Sequence, residues 1–218
     1  LQVQNLSTSA TANVSMAFYW AMGTSYPGQL AATYSTTLAP RATGAWHLPS
    51  GDSGGIPSVP AGFRGSVVIT SDQPLAVNAN TETTGNPVRV GTVRGVDAPD
   101  TTLRFPQVQK AYSDSNWDSF VVIQNTTGTS ASATIRYYHP TGGEVAWAAQ
   151  TQQSIPAYSS WIVHQSQNAN LPSGWVGSAV VTSSQPLAGV AALYEGMSGA
   201  STADLAHYGA QTVAATTV

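Results

Sequence analysis

Apolar and small polar residues alternate along residues 11–20, Thr-Ala-Asn-Val-Ser-Met-Ala-Phe-Tyr-Trp, and again along residues 131–139. A period of two sends alternate side chains to opposite faces of a strand, so each run reads as a strand with one face toward a core. Residues 28–38 and 144–155 follow Gly-containing turns, Tyr26-Pro27-Gly28 and Pro140-Thr141-Gly142-Gly143. Each pair is therefore expected to form a hairpin. Pro40 and Pro156 end the second strands, because proline cannot donate to a ladder. No window carries an apolar period of 3.6 over the length of a helix. Short strands between turn signals predict an all-β sandwich, with an immunoglobulin-like arrangement as the expected topology.

The pattern occurs twice. The run Gly65-Ser66-Val67-Val68-Ile69-Thr70-Ser71-Asp72-Gln73-Pro74-Leu75-Ala76 returns as Gly177-Ser178-Ala179-Val180-Val181-Thr182-Ser183-Ser184-Gln185-Pro186-Leu187-Ala188. The preceding turns, Pro60-Ala61-Gly62-Phe63 and Pro172-Ser173-Gly174-Trp175, match as well. Earlier, Val3-Gln4-Asn5-Leu6-Ser7 aligns with Ile123-Gln124-Asn125-Thr126-Thr127, and Ala17-Phe18-Tyr19 with Arg136-Tyr137-Tyr138. Equal order with loops of different length, the first copy being longer across residues 48–59, is the mark of tandem duplication. The chain thus divides into two domains, residues 1–110 and 111–218. Residues 104–108 are expected to be the last strand of the first, residues 110–116 a polar joint, and Trp117 the opening of the second. The Ser-Asp-Gln-Pro and Ser-Ser-Gln-Pro segments are expected to break one strand and begin the next. Leu1 falls inside a strand-like run, so the first strand is expected to be short and to have had an upstream segment.

Composition narrows the partners. A length of 218 residues suits two small domains. Charged residues are 8% of the chain, and net charge is −3, with Lys110 the one lysine. That excludes the basic footprint of a nucleic-acid binder and gives no hold on an anionic membrane. Polarity comes instead from 25 serines and 25 threonines, whose hydroxyls supply no self-repulsion to keep copies apart. The absence of cysteine excludes disulfides and thiolate chemistry. No apolar run is long enough to span a membrane as a helix.

The opening Trp117-Asp118-Ser119-Phe120-Val121-Val122-Ile123-Gln124-Asn125, the Tyr137-Tyr138 pair and the late segments 59–76 and 171–188 together resemble a tandem β-sandwich module. That module belongs to secreted surface proteins of thermophilic filamentous bacteria. The resemblance spans nearly the whole chain and implies a non-catalytic role at the cell exterior. The first copy departs from it by lacking the Trp-containing half of its opening strand.

Candidate chemistry is thin. Gly51-Asp52-Ser53-Gly54-Gly55 copies the string around a trypsin-like nucleophile. Such a serine needs a histidine base and an orienting aspartate, and no aspartate precedes Asp52. The string is expected to be a loop. His47, His139, His164 and His207 have no zinc-type spacing. Asp97, Asp100, Asp114 and Asp118 are expected to cap turns rather than hold calcium. Glu82, Glu144 and Glu195 carry no glycosidase motif. The six tryptophans are expected in the core, with a sugar-binding platform as the alternative. Asn5, Asn13 and Asn125 head Asn-x-Ser/Thr triplets, possible glycosylation acceptors. No catalytic residue, metal site or cofactor is expected.

The expected function is that of a structural subunit of an extracellular filament, sheath or surface layer. Its partners would be copies of itself, joined head to tail by β-strand pairing, with Leu1, Val3, Val213 and Val218 marking the contact strands. Glycans are the second class of partner, for a carbohydrate-binding or adhesive module.

Overall fold

The computed structural model describes residues 1–48, 55–82, 90–114, 116–195 and 205–211. These form antiparallel sheets with two single-turn 3₁₀ segments, Ala146–Ala148 and Gln165–Gln167. The first strands are β1 Gln2–Asn5, β2 Ala12–Trp20, β3 Leu30–Leu38, β4 Thr43–Ala45, β5 Gly65–Ser71, β6 Leu75–Glu82 and β7 Val90–Arg94. The later strands are β8 Asp100–Lys110, β9 Trp117–Asn125, β10 Ala131–Tyr138, β11 Gln150–Ile155, β12 Ser160–His164, β13 Trp175–Glu195 and β14 Leu205–Gly209.

The first seven strands make two sheets, ordered β4-β1-β6-β7 and β3-β2-β5. The later strands repeat both pairings. β12-β9 joins the second part of β13 and then β14, as β4-β1 joins β6 and then β7. β11-β10 joins the first part of β13, as β3-β2 joins β5. The expected break at Ser-Ser-Gln-Pro is not a chain break. β13 runs unbroken for 21 residues and changes partners between Ser183, opposite Ala133, and Leu187, opposite Asn125. In the first half the break is real, with Asp72, Gln73 and Pro74 between β5 and β6. The strand expected over residues 144–155 is shorter than its pattern. After a single bridge between Glu144 and Tyr138, Val145 and Ala148 turn inward around a 3₁₀ turn, and the continuous strand starts at Gln150.

Why these residues make these elements is visible in the repeated turn. Gly62 and Gly174 hold φ of +73° and +78°, a conformation that costs a residue with a Cβ. Both precede an aromatic residue, Phe63 or Trp175, whose ring folds over the glycine two residues on, Gly65 or Gly177. A Cβ at Gly65 or Gly177 would lie 2.6 Å from that ring and closer still, 2.0 or 2.1 Å, to the carbonyl oxygen of Tyr19 or Tyr138. The spacing Gly-(Phe/Trp)-x-Gly is thus a packing rule, and it explains why this segment survives in both halves.

Two cores result. One gathers Val3, Val14, Met16, Phe18, Ile56 and Val59; the other Ile123, Ile135, Tyr137, Ile155, Trp175 and Val181. β8 belongs to the second. It was expected to close the first copy, but it pairs with β13 from Thr102 opposite Thr182 to Lys110 opposite Trp175. Leu103, Phe105 and Val108 are fully buried in the second core. Lys110 Nζ donates to the carbonyls of Asn168 (2.6 Å) and Leu171 (2.8 Å) of the same half. β8 therefore packs with the strands that follow it rather than with β1–β7, because burial of three apolar side chains outweighs sequence adjacency to β7.

The halves touch through backbone and ring contacts. Met22 N–H donates to the Ser160 carbonyl (2.9 Å), Ser66 Oγ to that of Tyr158 (2.8 Å), and Ser159 Oγ to that of Trp20 (2.8 Å). Tyr19 and Tyr158 lie with ring centroids 4.7 Å apart.

Candidate functional site

The repeated pairing sets up a direct internal comparison. In the second half, the first part of β13 lies between β10 and β8. In the first half its counterpart, β5, has one neighbour among the described residues, β2. The consequence shows in burial. Ala179 and Val181 of β13 are 1% and 0% exposed, whereas the matching Val67 and Ile69 of β5 are only half-buried, packed against the edge of the first core. Two β-branched side chains face the core from a strand whose other flank has no strand partner among the described residues.

The edge also lacks the usual protections. Natural edges carry charge, proline or a bulge to discourage pairing with other chains. β5, Gly-Ser-Val-Val-Ile-Thr-Ser, has no charge and no proline. β8, the outer strand in the other half, has Arg104, Pro106 and Lys110. β3 is an uncharged edge too, but its counterpart β11 also ends its sheet, so nothing in the second half marks a missing neighbour there.

The residues expected to mark contact strands sit elsewhere. β1, which contains Val3, is paired on both flanks, with β4 and with β6. The Leu1 ammonium donates to the Trp46 carbonyl (2.8 Å), and Val3 is fully buried. Leu1 and Val3 thus lie at a strand whose two ladders are both taken within the chain, whereas β5 has one strand partner among the described residues. Val213 and Val218 lie outside the described residues.

Asn5 and Asn125 are fully buried and make the same network. Asn5 Nδ2 reaches the carbonyls of Ala10 (2.8 Å), Leu38 (3.0 Å) and Ala39 (3.2 Å), and Oδ1 accepts from Ser7 N–H (2.9 Å). Asn125 Nδ2 reaches those of Thr129 (2.7 Å), Ile155 (3.1 Å) and Pro156 (3.2 Å), and Oδ1 accepts from Thr127 N–H (3.0 Å). With its amide hydrogens engaged and no exposure, neither is presented as a glycosylation acceptor; these asparagines pin a turn to a strand end. Asn13 is exposed, but its Nδ2 donates to Asp72 Oδ2 (2.6 Å) while its backbone N–H donates to Oδ1 (2.8 Å). Those bonds hold the Asp72 carboxyl below its ordinary range.

Among the described residues no group of three or more His, Asp or Glu side chains is placed to hold a metal ion. Asp52 and Ser53 lie outside them. Asp97 faces Arg94 at 3.9 Å, while Asp100 and Asp118 accept from the backbone of Thr102 and Ala111. Glu144 faces Arg136 at 3.6 Å near the start of β13, and Glu195 ends that strand, so the two carboxyls are far apart. Side-chain placement is not described for Glu82. Trp147, 68% exposed, is the one strongly exposed tryptophan among the described residues; Trp20, Trp46 and Trp175 pack on Phe63, Tyr34 and Tyr137.

Two histidines are perturbed. His164, stacked near Phe120, and His207 of β14 are both pushed below the ordinary value by burial, with the Arg64 charge adding to the effect at His164. His207 lies over Gly91 of β7, and its Nδ1 meets no partner at hydrogen-bond geometry, though the Gly91 backbone offsets part of the burial effect. Tyr208 is pushed up to about 12 by burial while its hydroxyl bonds the Gln107 carbonyl, tying β14 to β8. No helix of the described residues is long and apolar enough to cross a membrane.

No protein-family model matches the chain, and no curated protein does. Among solved structures it is similar to the crystal structure of Thermotoga maritima 1070, at 12% identity, over 52% of this chain and 94% of that one, with a TM-score of 0.42. A likeness at that level carries no argument about fold or role.

Proposed function

We propose that the chain is a non-catalytic structural subunit of the cell exterior, made of two tandem immunoglobulin-like sandwich domains related by duplication. It assembles with copies of itself by pairing strands between subunits into a filament, sheath or surface layer. The observation that carries this reading is that β5 has β2 as its one strand partner among the described residues, with Val67 and Ile69 half-buried where Ala179 and Val181, on the strand between β10 and β8, are buried. Supporting it are the matched strand pairings of the two halves, the resemblance to surface modules, and a surface with too little charge to repel its own copies. Contacts between unlike surfaces do not close on themselves unless the rotation permits a ring, so they propagate.

Sedimentation velocity over a range of concentrations tests the reading. The native chain is expected to shift to larger species as concentration rises. Thr70→Lys, an exposed position on β5, is expected to hold it monomeric by placing a charge on the edge. A native chain that stays monomeric throughout would overturn the proposal.

A further inference from the structure

The contact between the halves consists of a seat and an occupant. In the seat, Tyr19 and Trp20 end β2, Ser66 of β5 lies opposite Tyr19, and Gly28 N–H closes the hairpin on the Trp20 carbonyl (2.8 Å). The occupant is the turn between β11 and β12. Ser66 Oγ donates to the Tyr158 carbonyl (2.8 Å) and Ser159 Oγ to that of Trp20 (2.8 Å). The Tyr158 ring lies 4.7 Å from that of Tyr19, and a Cβ at Gly28 would lie 2.5 Å from Pro156 Cβ.

Both surfaces recur, and neither recurrence is covered among the described residues. The second half repeats the seat. Tyr138 lies opposite Ser178 as Tyr19 lies opposite Ser66, and Gly142 N–H donates to the His139 carbonyl (2.8 Å) with φ of +98°, as Gly28 does to Trp20 with +76°. Here Tyr138, His139, Gly142 and Ser178 line an open groove of about 600 Å³, walled by Pro106 and Gln107 where β8 bulges, and a Cβ at Gly142 would meet nothing within 4 Å. The first half repeats the occupant. Asn5 N–H donates to the Ala42 carbonyl as Asn125 N–H does to that of Ser159, and Arg41 N–H donates to Ser7 as Tyr158 N–H does to Thr127. Arg41 and Tyr158 share a positive φ, +61° and +57°. The exposed Arg41 therefore stands where Tyr158 stands.

We propose that the turn at residues 39–42 of one copy seats in the groove at Tyr138 and Ser178 of another, repeating between chains the contact that joins the halves within one. The Arg41 guanidinium then lies over the Tyr138 ring, where cation–π attraction replaces the contact of Tyr158 with Tyr19. Ser178 Oγ donates to the Arg41 carbonyl, as Ser66 does to that of Tyr158. Arg136, two residues along β10, faces Glu144 at 3.6 Å, which offsets its repulsion of the incoming cation. Ala42 has no hydroxyl to match Ser159, so the contact between chains holds with one bond fewer. The nine residues of β3 set the seat and the turn of the first half about 30 Å apart, at opposite ends. The contact thus joins unlike surfaces and propagates. This rests on the reading that copies join head to tail, and it uses a surface distinct from the β5 edge.

The chain has no cysteine, so introduced thiols report position without background. Ala39 is the counterpart of Pro156, since their carbonyls accept from Asn5 and Asn125 in turn, and Thr141 adjoins Gly142. One preparation of the full chain carries Ala39→Cys and another Thr141→Cys; both positions are exposed. They are mixed and bridged with a short bis-maleimide. A control pairs Ala39→Cys with Gln153→Cys, exposed on β11. The expected result is a chain-to-chain product from Ala39→Cys with Thr141→Cys, absent from either preparation alone and from the control. Adding Arg41→Glu to the Ala39→Cys chain is expected to cut the product about tenfold. Arg41→Tyr, which copies Tyr158 into the turn, is expected to keep it. Equal product from both pairings would overturn the proposal, as would product that ignores Arg41→Glu or is lost with Arg41→Tyr. No product from material that sedimentation shows to be polymeric would overturn this contact and leave assembly through the β5 edge standing. Material that neither cross-links nor associates would sink both readings.

Discussion

Replacing Asn125 with alanine is expected to weaken the second half by about 3 kcal/mol. The figure comes from the network. Two amide hydrogens are shared among the carbonyls of Thr129, Ile155 and Pro156, and Oδ1 takes the Thr127 N–H and hydroxyl. Each such bond contributes about 1 kcal/mol net, and a buried group left unpaired costs about 1–3 kcal/mol. The bond to Ile155 is buried, and the strand end it ties down has Ile155 itself fully in the core. Urea unfolding followed by tryptophan fluorescence is the assay. With a slope of about 1–3 kcal/mol per molar urea, the midpoint should fall by roughly 1–3 M. Asn5→Ala should cost the first half a similar amount, because its distances repeat those of Asn125 to within a few tenths of an ångström. A loss under about 1 kcal/mol at either site, or a large loss at one alone, refutes the claim that the two networks do the same work.

Phe105→Ala should cost about 3–5 kcal/mol, with hydrogen-exchange protection lost in β10 and β13 while β2 and β3 keep theirs; loss confined to the first half would return β8 to it. Acidification should also destabilise the fold. His164 and His207 sit below their ordinary value of 6.5 because burial disfavours the charged form, so the unfolded chain takes up protons first. The stability they contribute is held above that value and lost as pH falls through it toward the lowered one. Between about pH 7.5 and 5, where carboxylates stay ionised, the urea midpoint should drop, and His207→Gln should shallow the drop; a flat or rising profile contradicts it. Gly91→Ala should loosen the contact between β7 and β14, since its Cβ would lie 2.1 Å from His207 Nδ1; unchanged exchange in both strands would refute that packing.

The all-β character and most strands could be read from the chain because their signals are local. Alternation marks a buried face, and Gly-(Phe/Trp)-x-Gly recurs because a ring must lie over a glycine. Ownership of β8 was not legible. Leu103, Phe105 and Val108 satisfy the pattern of an inward face in either half, and the choice between two cores is made by contacts distant in sequence. Asn5 and Asn125 show the same limit from another side. Asn-x-Ser/Thr describes both a glycan acceptor and a turn in which Oδ1 accepts from the residue two on, and burial alone separates them. The pairing of β1 on both flanks was not legible either, because β4, three residues long, gives too weak a signal to be seen covering it. The comparison of Val67 and Ile69 with Ala179 and Val181 needed burial, which sequence alone does not contain.

Electron microscopy of the native material at neutral pH is the most direct test of a subunit built to exchange strands. Ordered filaments or sheets, with a repeat set by one chain joined to the next, are the expected result. Dispersed monomers at high concentration would contradict it.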